Sequence, residues 1–365
     1  MMVRIKPSNN VSYMDITKGL GIILVVIGHS GSPITSYIYL FHMALFFFIS
    51  GYFYKEEYSF APKTLIKRRI KTLYIPFISY EIFFLIFHNV FIKLNVYSTK
   101  IGFQGMTSHS YTKIEFIKNF INSITFSSTE ELAGTFWFFT VLFTINILFC
   151  IISFCIIKFI KNNKEAYRFG VILICFFIGN ILSTYNVKLP RLFDITLFII
   201  VIYYLGFLYK KYEENIKLNI FIFIFCFIGL IISDNYGSID IISRKYTNPI
   251  FFIITSLLGI YLTIYVSKYL DKFKAGLLKY VGKCTISIMA LQFLAFKIIS
   301  LIQIKVYGYP YHMLAKFPIL NSNGIWWILY SIVGIAVPIL IQRYIVDKIK
   351  NSLTKLIIKI KTSLK

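Results

Sequence analysis

The sequence predicts an all-α polytopic membrane protein, with about ten transmembrane helices in one bundle and both termini in the cytoplasm. Three observations lead to this prediction. Of the 365 residues, 57% are hydrophobic and only 15% are charged, a composition that ordinary soluble domains do not have. Apolar runs of about 20 residues, the length that crosses a bilayer as a helix, recur along the chain. Lysine and arginine are concentrated in every second segment between these runs.

The apolar runs define ten predicted spans in order. Their bounds are 14–30, 34–54, 74–94, 132–157, 168–184, 190–209, 217–233, 248–268, 284–303 and 325–346. The segments on the side of the two termini hold 27 Lys and Arg residues, and those on the opposite side hold 10. Because cytoplasmic loops are enriched in basic residues, both termini are predicted to be cytoplasmic. The longest outer segment, 95–131, is polar and is predicted to be a loop.

The chain therefore divides into a membrane domain over 1–347 and a basic tail over 348–365. Isoleucine and leucine recur at helical spacing in the tail, with lysines between them, which favours an amphipathic helix at the inner membrane surface. The formal net charge is +24. We do not expect nucleic-acid binding, because the basic residues are spread over short connecting segments and form no continuous face.

The first two predicted spans carry ionisable residues within apolar sequence. Asp15, Lys18 and His29 lie in the first span, and His42 lies about two turns into the second. Lys18 and His29 are close to three helical turns apart, so they share one face at a separation of about 16 Å along the axis. Asp15 lies near the same face and can pair with Lys18. Ionisable groups in a bilayer are costly, and they indicate a functional site.

The two histidines of this hairpin favour proton transfer. His42 is expected at a depth between Lys18 and His29, and imidazoles titrate near neutral pH. The alternative for each is a packed histidine that bonds to a backbone carbonyl. The other histidines are interpreted as loop or span-end residues without a role: His88, His109 and His312. No zinc-ligand spacing, Walker sequence or G-x-S-x-G motif occurs, so we expect no metal.

The same stretch resembles the opening of the acyltransferase family 3 membrane enzymes. Residues 15–29 read D-x-x-K-G-x-G-I-I-L-V-V-I-G-H, and residues 41–52 read F-H-M-A-L-F-F-F-I-S-G-Y. The likeness is closest to the fucose 4-O-acetylase-like subgroup, and it continues more weakly at 67–77, 134–143 and 282–296. Three positions depart from the common pattern: Lys18 stands where relatives have Arg, Ala44 where Pro is common, and Gln292 where many relatives have His.

The resemblance implies transfer of an acetyl or other short acyl group from cytoplasmic acyl-CoA to a carbohydrate hydroxyl. His29 is the choice for the general base, because a sugar hydroxyl must lose its proton as it attacks the thioester. Direct transfer and a transient acyl-imidazole both suit this residue. Asp15 and Lys18 would fix the polar geometry below His29, or Lys18 would stabilise negative charge on the thioester oxygen or a phosphate. His42 is the second proton-transfer candidate.

Binding residues are expected on both sides of the membrane. Arg68, Arg69 and Lys71 directly precede the third span and offer cations for the phosphates of coenzyme A, although positive-inside topology explains the same cluster. Acceptor contacts are expected from Glu81 in the third span and from Glu130 and Trp137 at the start of the fourth. An interfacial aromatic belt is the alternative for Trp137.

Two functional hypotheses follow. The first is an acyltransferase of the bacterial cytoplasmic membrane that modifies a cell-surface or secreted polysaccharide or its lipid-linked precursor. Its expected partners are acyl-CoA, the carbohydrate acceptor, membrane lipid, and a second copy of the chain or polysaccharide-synthesis machinery. The second is a transporter or flippase that exports a polysaccharide intermediate. The lack of an internal sequence repeat and the concentration of ionisable groups in one hairpin favour the enzyme over the transporter. A third hypothesis, a purely structural scaffold, does not explain why Lys18 and His29 share one helix face.

Overall fold

Long apolar helices dominate the residues that the computed structural model describes, which are 12–102, 108–128, 130–348 and 352. Within these ranges the fold is all-helical and contains no β-strand. The α-helices, in chain order, are α1 Ser12–His29, α2 Thr35–Tyr39, α3 His42–Tyr52, α4 Pro62–Arg69, α5 Ile75–Lys93, α6 Lys113–Ile124, α7 Trp137–Phe159, α8 Lys164–Thr184, α9 Phe193–Tyr212, α10 Ile220–Asp234, α11 Pro249–Asp271, α12 Gly276–Lys283, α13 Thr285–Tyr307 and α14 Trp326–Ile341. The predicted amphipathic tail, 348–365, lies outside the described residues except for Lys348 and Ser352.

Eight helical segments of the described chain are long and apolar enough to cross a membrane, so the protein is a multi-pass membrane protein. The predicted count of ten is not confirmed. A helix occupies each of the ten predicted spans, but α1 and α10 are not among the eight. α10 has only 15 residues, and α1 carries the charged pair Asp15 and Lys18 within its 18 residues.

The second predicted span, 34–54, is interrupted. α2 ends at Tyr39, and α3 begins at His42. Between them the Phe41 ring packs directly on the backbone of α11, where a Cβ added to Gly259 would lie 1.9 Å from the ring. His42 is the first residue of α3 and lies two turns after the start of the helical segment Thr35–Tyr52, as predicted, but at a break in that segment that was not predicted.

The third predicted span, 74–94, begins earlier than expected. α4, a π-helical turn at Ile70–Tyr74 and α5 form one helix over Pro62–Lys93. Pro76 has no N–H for the helical hydrogen-bond ladder, and an irregular turn before a proline accommodates that loss. The basic cluster Arg68, Arg69 and Lys71, predicted to lie in a connecting segment, is therefore part of the helix over Pro62–Lys93.

The segment 95–131, predicted to be a loop, contains a helix. α6 begins with a capping box, in which the Thr112 side chain accepts from the Glu115 N–H and the Glu115 carboxylate accepts from the Thr112 N–H at 2.9 Å. This T-x-x-E pattern is a sequence signature of a helix start. α6 runs antiparallel to α5, since Asn89 bonds to Tyr111 and the Tyr74 hydroxyl donates to the Ile124 carbonyl.

Close helix crossings fix α1 and α3 in the bundle. A Cβ on Gly51 of α3 would lie 1.8 Å from the carbonyl oxygen of Tyr203 in α9, and a Cβ on Gly19 of α1 would lie 2.2 Å from that of Leu278 in α12. Only glycine permits backbones to approach so closely, which is how small residues pack helices within membranes. These crossings hold the residue that ends α1, His29, at a fixed position.

Candidate functional site

His29 ends α1 and lines a cavity of about 260 Å³, which we call the histidine cavity. Its walls come from the helices α1, α2, α3, α7 and α13, the segment 134–135, the loop 239–243 and the turn 317–318. His42 lines the same cavity, and the Tyr39 ring contacts both imidazoles, with centroid separations of 6.3 Å to His29 and 4.9 Å to His42. The two histidines for which the sequence predicts proton transfer therefore line one cavity.

Gln292 of α13 orients His29. Its Oε1 lies 3.2 Å from His29 Nδ1, and its Nε2 donates to the Met289 carbonyl at 3.4 Å. Because the amide nitrogen is directed at a carbonyl, the amide oxygen is the group that faces the imidazole, so His29 Nδ1–H is the donor. A neutral His29 then keeps its lone pair on Nε2, the form that a general base requires.

His42 is bonded to a backbone carbonyl and also lines the cavity, so it combines the two alternatives expected for it. Its Nδ1–H donates to the Ile38 carbonyl at 2.9 Å, as a packed histidine does. It nevertheless lines the histidine cavity, and the backbone bond leaves its Nε2 as the acceptor nitrogen. Within the described chain His42 is thus held by a backbone carbonyl and by the Tyr39 ring, and it makes no side-chain hydrogen bond.

A strap over 314–318 contributes Phe317 and Pro318 to the wall of the histidine cavity, and Lys297 holds it in place. The buried Lys297 ammonium donates to the carbonyls of Leu314 at 2.9 Å and Lys316 at 3.0 Å. Phe317 of the strap contacts Phe293, with ring centroids 4.5 Å apart, and Phe293 in turn lies 5.0 Å from the His29 ring. Lys297 therefore positions the aromatic contacts around His29, a role that was not predicted.

A second, larger cavity of about 650 Å³ adjoins the first, and we call it the large cavity. Gly134, Trp137 and Ile242 line both. Its size falls in the range of ligand sites, about 300 to 1,000 Å³. Glu130 lines the large cavity only, so Trp137 and Glu130, both predicted as acceptor contacts, lie together beside the histidine cavity.

Glu130 is paired with a histidine that was wrongly interpreted as a loop or span-end residue. His88 is buried within α5, and its Nδ1 lies 2.8 Å from Glu130 Oε2. Its Nε2 lies 3.0 Å from the His109 carbonyl, and Tyr111 stacks on its ring at 3.5 Å. Since both partner atoms are oxygens, His88 Nε2–H donates to the His109 carbonyl, and one proton lies between His88 Nδ1 and Glu130 Oε2. A signal existed in the sequence, because Glu81 and His88 are two turns apart on one face of an apolar helix.

Glu131 is the second carboxylate of the large cavity. Burial raises the pKa of Glu131 to about 7; the nearby charge of Lys297 opposes this rise, and Glu130 adds to it. Its Oε1 is buried and has no hydrogen-bond partner among the described residues. Glu131 can therefore take up a proton near neutral pH.

The opposite end of α1 carries the predicted ion pair. Lys18 Nζ lies 3.1 Å from Asp15 Oδ1 and 4.3 Å from the centroid of the Phe53 ring. The neighbouring Tyr13 lies under the ammonium of Lys268 at 4.8 Å. Cations and aromatic rings thus collect at this end of the bundle, while Lys18 itself lines neither of the two cavities.

The remaining predicted site residues lie apart from both cavities. Arg68 donates to the Tyr58 hydroxyl, and Arg69 is half-buried on the same helix. Glu81 is buried between α5 and α6, where Ser123 Oγ donates to its Oε2 at 3.5 Å. The two cavities are not lined by Arg68, Arg69, Lys71 or Glu81. All four residues lie on the continuous helix over Pro62–Lys93.

Comparisons with known proteins give one match. A family model described as an acyltransferase domain matches residues 11–343, which includes both cavities and every predicted site residue. No curated protein and no solved structure matches the chain. Among the described residues no group of three or more His, Cys, Asp and Glu side chains is placed to hold a metal ion.

Proposed function

The chain belongs to acyltransferase family 3, and we propose that it is a membrane O-acyltransferase acting on carbohydrate. In this proposal an acetyl or other short acyl group moves from cytoplasmic acyl-CoA to a hydroxyl of a cell-surface or secreted polysaccharide, or of its lipid-linked precursor. The observation that supports it best is the position of His29, which lines a small cavity that shares Trp137 with a much larger one.

His29 serves as the general base of the transfer. Its Nε2 takes the proton of the acceptor hydroxyl while the hydroxyl oxygen attacks the thioester carbonyl. The carbon–sulfur bond then breaks, and the same proton passes to the sulfur, directly or by way of His42, so that coenzyme A leaves as the thiol. Gln292 supports this role because its amide oxygen holds the Nδ1–H tautomer. A transient acyl-imidazole on His29 would use the same nitrogen. His42 shares the cavity and relays the proton.

The acceptor occupies the large cavity in this proposal. Trp137 forms the shared wall on which a sugar ring packs, and Glu130 accepts hydrogen bonds from sugar hydroxyls. Support comes from the adjacency of these two residues to the histidine cavity. Glu81, the third expected acceptor contact, receives no such support because it lies between α5 and α6.

The acyl donor enters from the cytoplasmic side in this proposal, near Lys18 and Asp15. Arg68, Arg69 and Lys71 bind its phosphates, and the chain takes the ten-span arrangement with both termini inside. The charge asymmetry between alternate segments supports this orientation, and the cations near Tyr13 add to the positive charge at that end. The fucose 4-O-acetylase-like subgroup and the bacterial cytoplasmic membrane belong to the same proposal.

Donor chemistry tests the proposal without knowledge of the acceptor. The purified full-length protein in lipid nanodiscs would be incubated with acetyl-CoA, and the release of coenzyme A thiol would be followed with and without added oligosaccharides. We expect slow thioester cleavage by the wild type, and a rate at least tenfold lower in His29→Ala, since a general base contributes at least that much. Equal rates for the two proteins would contradict the assignment of His29, and His312→Ala provides a matched control.

A further inference from the structure

Three basic residues line the large cavity. Lys188 and Arg191 belong to the loop between α8 and α9, and Arg244 belongs to the loop between α10 and α11. In the proposed orientation both loops are on the outer side, where membrane proteins carry few basic residues. Topology therefore does not explain why these cations converge on a cavity.

The charges around the cavity do not cancel. Arg244 is compensated, because its Nε and Nη2 donate to the two carboxylate oxygens of Asp194 at 2.8 and 3.3 Å. Neither carboxylate of the cavity pairs with a cation of these two loops: Glu130 faces His88 at 2.8 Å, and Glu131 forms no ion pair with the described residues.

Lys188 and Arg191 remain without a compensating charge. Both are exposed at the cavity wall, and neither forms an ion pair with the described part of the chain. Arg191 is held by a hydrogen bond from its Nη1 to the Oγ of Ser127, another residue of the cavity lining, at 2.6 Å. The backbones of Arg191 and Leu192 are both in the left-handed region, with φ angles of 56° and 57°. Such conformations cost free energy and persist where the surroundings impose them.

We propose that the acceptor glycan carries an anionic group, a phosphate or a carboxylate, and that Lys188 and Arg191 bind it in the large cavity. This inference rests on the proposed function, because the cavity is taken to be the acceptor site. An arginine fork and a lysine ammonium are suited to phosphate and carboxylate oxygens. The hydroxyls of the same glycan would reach the carboxylates near Trp137, on the wall shared with the histidine cavity.

Direct binding tests this inference. The full-length protein would be placed in nanodiscs of zwitterionic phosphatidylcholine and titrated calorimetrically with inorganic pyrophosphate, glucuronate and glucose. The variants are Lys188→Gln with Arg191→Gln, and Lys245→Gln as a control that removes a lysine of an outer loop outside the cavity lining. Thermal unfolding of each variant checks that the fold is kept.

We expect the wild type to bind at least one of the two anions more tightly than glucose. The double variant should bind that anion at least tenfold more weakly, since hydrogen bonds to charged groups are each worth about tenfold or more, while Lys245→Gln binds it as the wild type does. Equal affinity of the double variant and the wild type, or no preference of the wild type for an anion over glucose, would overturn the inference.

Two further measurements distinguish a glycan anion from a lipid headgroup, and the anion site from the proposed acyltransferase function. Anionic phosphatidylglycerol in the nanodiscs repels any anion through its surface potential, and the measured affinity for pyrophosphate would be corrected for that effect. Weaker binding after this correction would show that a lipid headgroup occupies the site and would overturn the assignment to the acceptor, whereas unchanged binding supports it. His29→Ala should bind the anion as the wild type does. Anion binding without any acyl transfer would contradict the proposed function and leave the anion site standing.

Discussion

His29 Nδ1 and Gln292 Oε1 lie 3.2 Å apart, although 263 residues separate them in the chain. This contact joins the end of α1 to α13 and leaves one nitrogen of His29, Nε2, with a lone pair. It also gives a function to a position where many members of the resembled family have His. An amide orients the imidazole but carries no charge to stabilise an imidazolium, so Gln292 is a positioning residue.

The first prediction concerns this positioning. Gln292→Leu keeps the size of the side chain but removes the acceptor for His29 Nδ1–H, so kcat for acyl transfer should fall about tenfold, the value of a lost hydrogen bond of one to two kcal/mol. Gln292→Glu retains an acceptor oxygen and should recover most of the rate. Steady-state kinetics in nanodiscs would measure both. Wild-type kcat in Gln292→Leu would show that the contact is merely structural.

The second prediction concerns proton uptake by Glu131. Its folded pKa is raised from the ordinary 4.5 to about 7, so between these values the folded state binds more protons than the unfolded state. Linkage then requires stability to fall as pH rises from about 5 to 7. Solvent access and the charge of Lys297 limit the loss to about 2 kcal/mol or less.

Glu131→Gln removes this dependence on pH. The variant should unfold at a higher temperature than the wild type at pH 7 and at nearly the same temperature at pH 5, measured by thermal unfolding in uncharged nanodiscs. A stability difference that grows on acidification would contradict the direction of the shift.

The third prediction concerns the crossing of α3 and α9. Gly51→Ala places a methyl group 1.8 Å from the Tyr203 carbonyl oxygen, and the backbones must separate, at a cost of about 3 kcal/mol. Gly170→Ala in α8 is the matched control, since no atom of the described chain lies within 4 Å of its added Cβ, and it should be neutral or stabilise by up to about 1 kcal/mol. Similar unfolding temperatures for the two variants would contradict the close crossing.

The fourth prediction concerns the acyl donor. If Arg68 and Arg69 bind the phosphates of coenzyme A, replacement of either by Gln should raise its Kd about tenfold, because a charge-assisted contact is lost. Lys63→Gln, an exposed lysine of the same helix, is the control. Binding of coenzyme A to the protein in nanodiscs measures the effect. If both arginine variants bind coenzyme A as the wild type does and Lys18→Gln binds it more weakly, its phosphates bind near Lys18 of α1 and the assignment to Arg68 and Arg69 is wrong.

Much of the fold follows from local sequence, because apolar runs of membrane length leave few alternatives to a helix. The interrupted helix before His42 was missed, since it depends on the packing of Phe41 against Gly259, a contact between distant helices. The extension of α5 back to Pro62 was missed because the polar residues before Tyr74 read as a loop.

Only the part of the candidate site that lies within one local stretch of sequence was predictable. His29 and His42 were placed together because they belong to one hairpin. The partners that orient the site, Gln292 and Lys297, come from α13, and Glu130 meets His88 only because α6 folds back along α5. No periodicity within one segment encodes contacts between segments so far apart in the chain.

The most direct test of the central claim is the acyl content of the surface glycan from cells that carry the wild type, a deletion, His29→Ala or the control His312→Ala. Mass spectrometry would measure the acyl mass per repeating unit, and the amount of exported polymer would be determined in parallel. We expect acylation to be lost in the deletion and in His29→Ala, with export unchanged and His312→Ala like the wild type. Unchanged acylation in His29→Ala, or polymer retained inside the deletion strain with its acylation intact, would contradict the enzyme and favour an exporter.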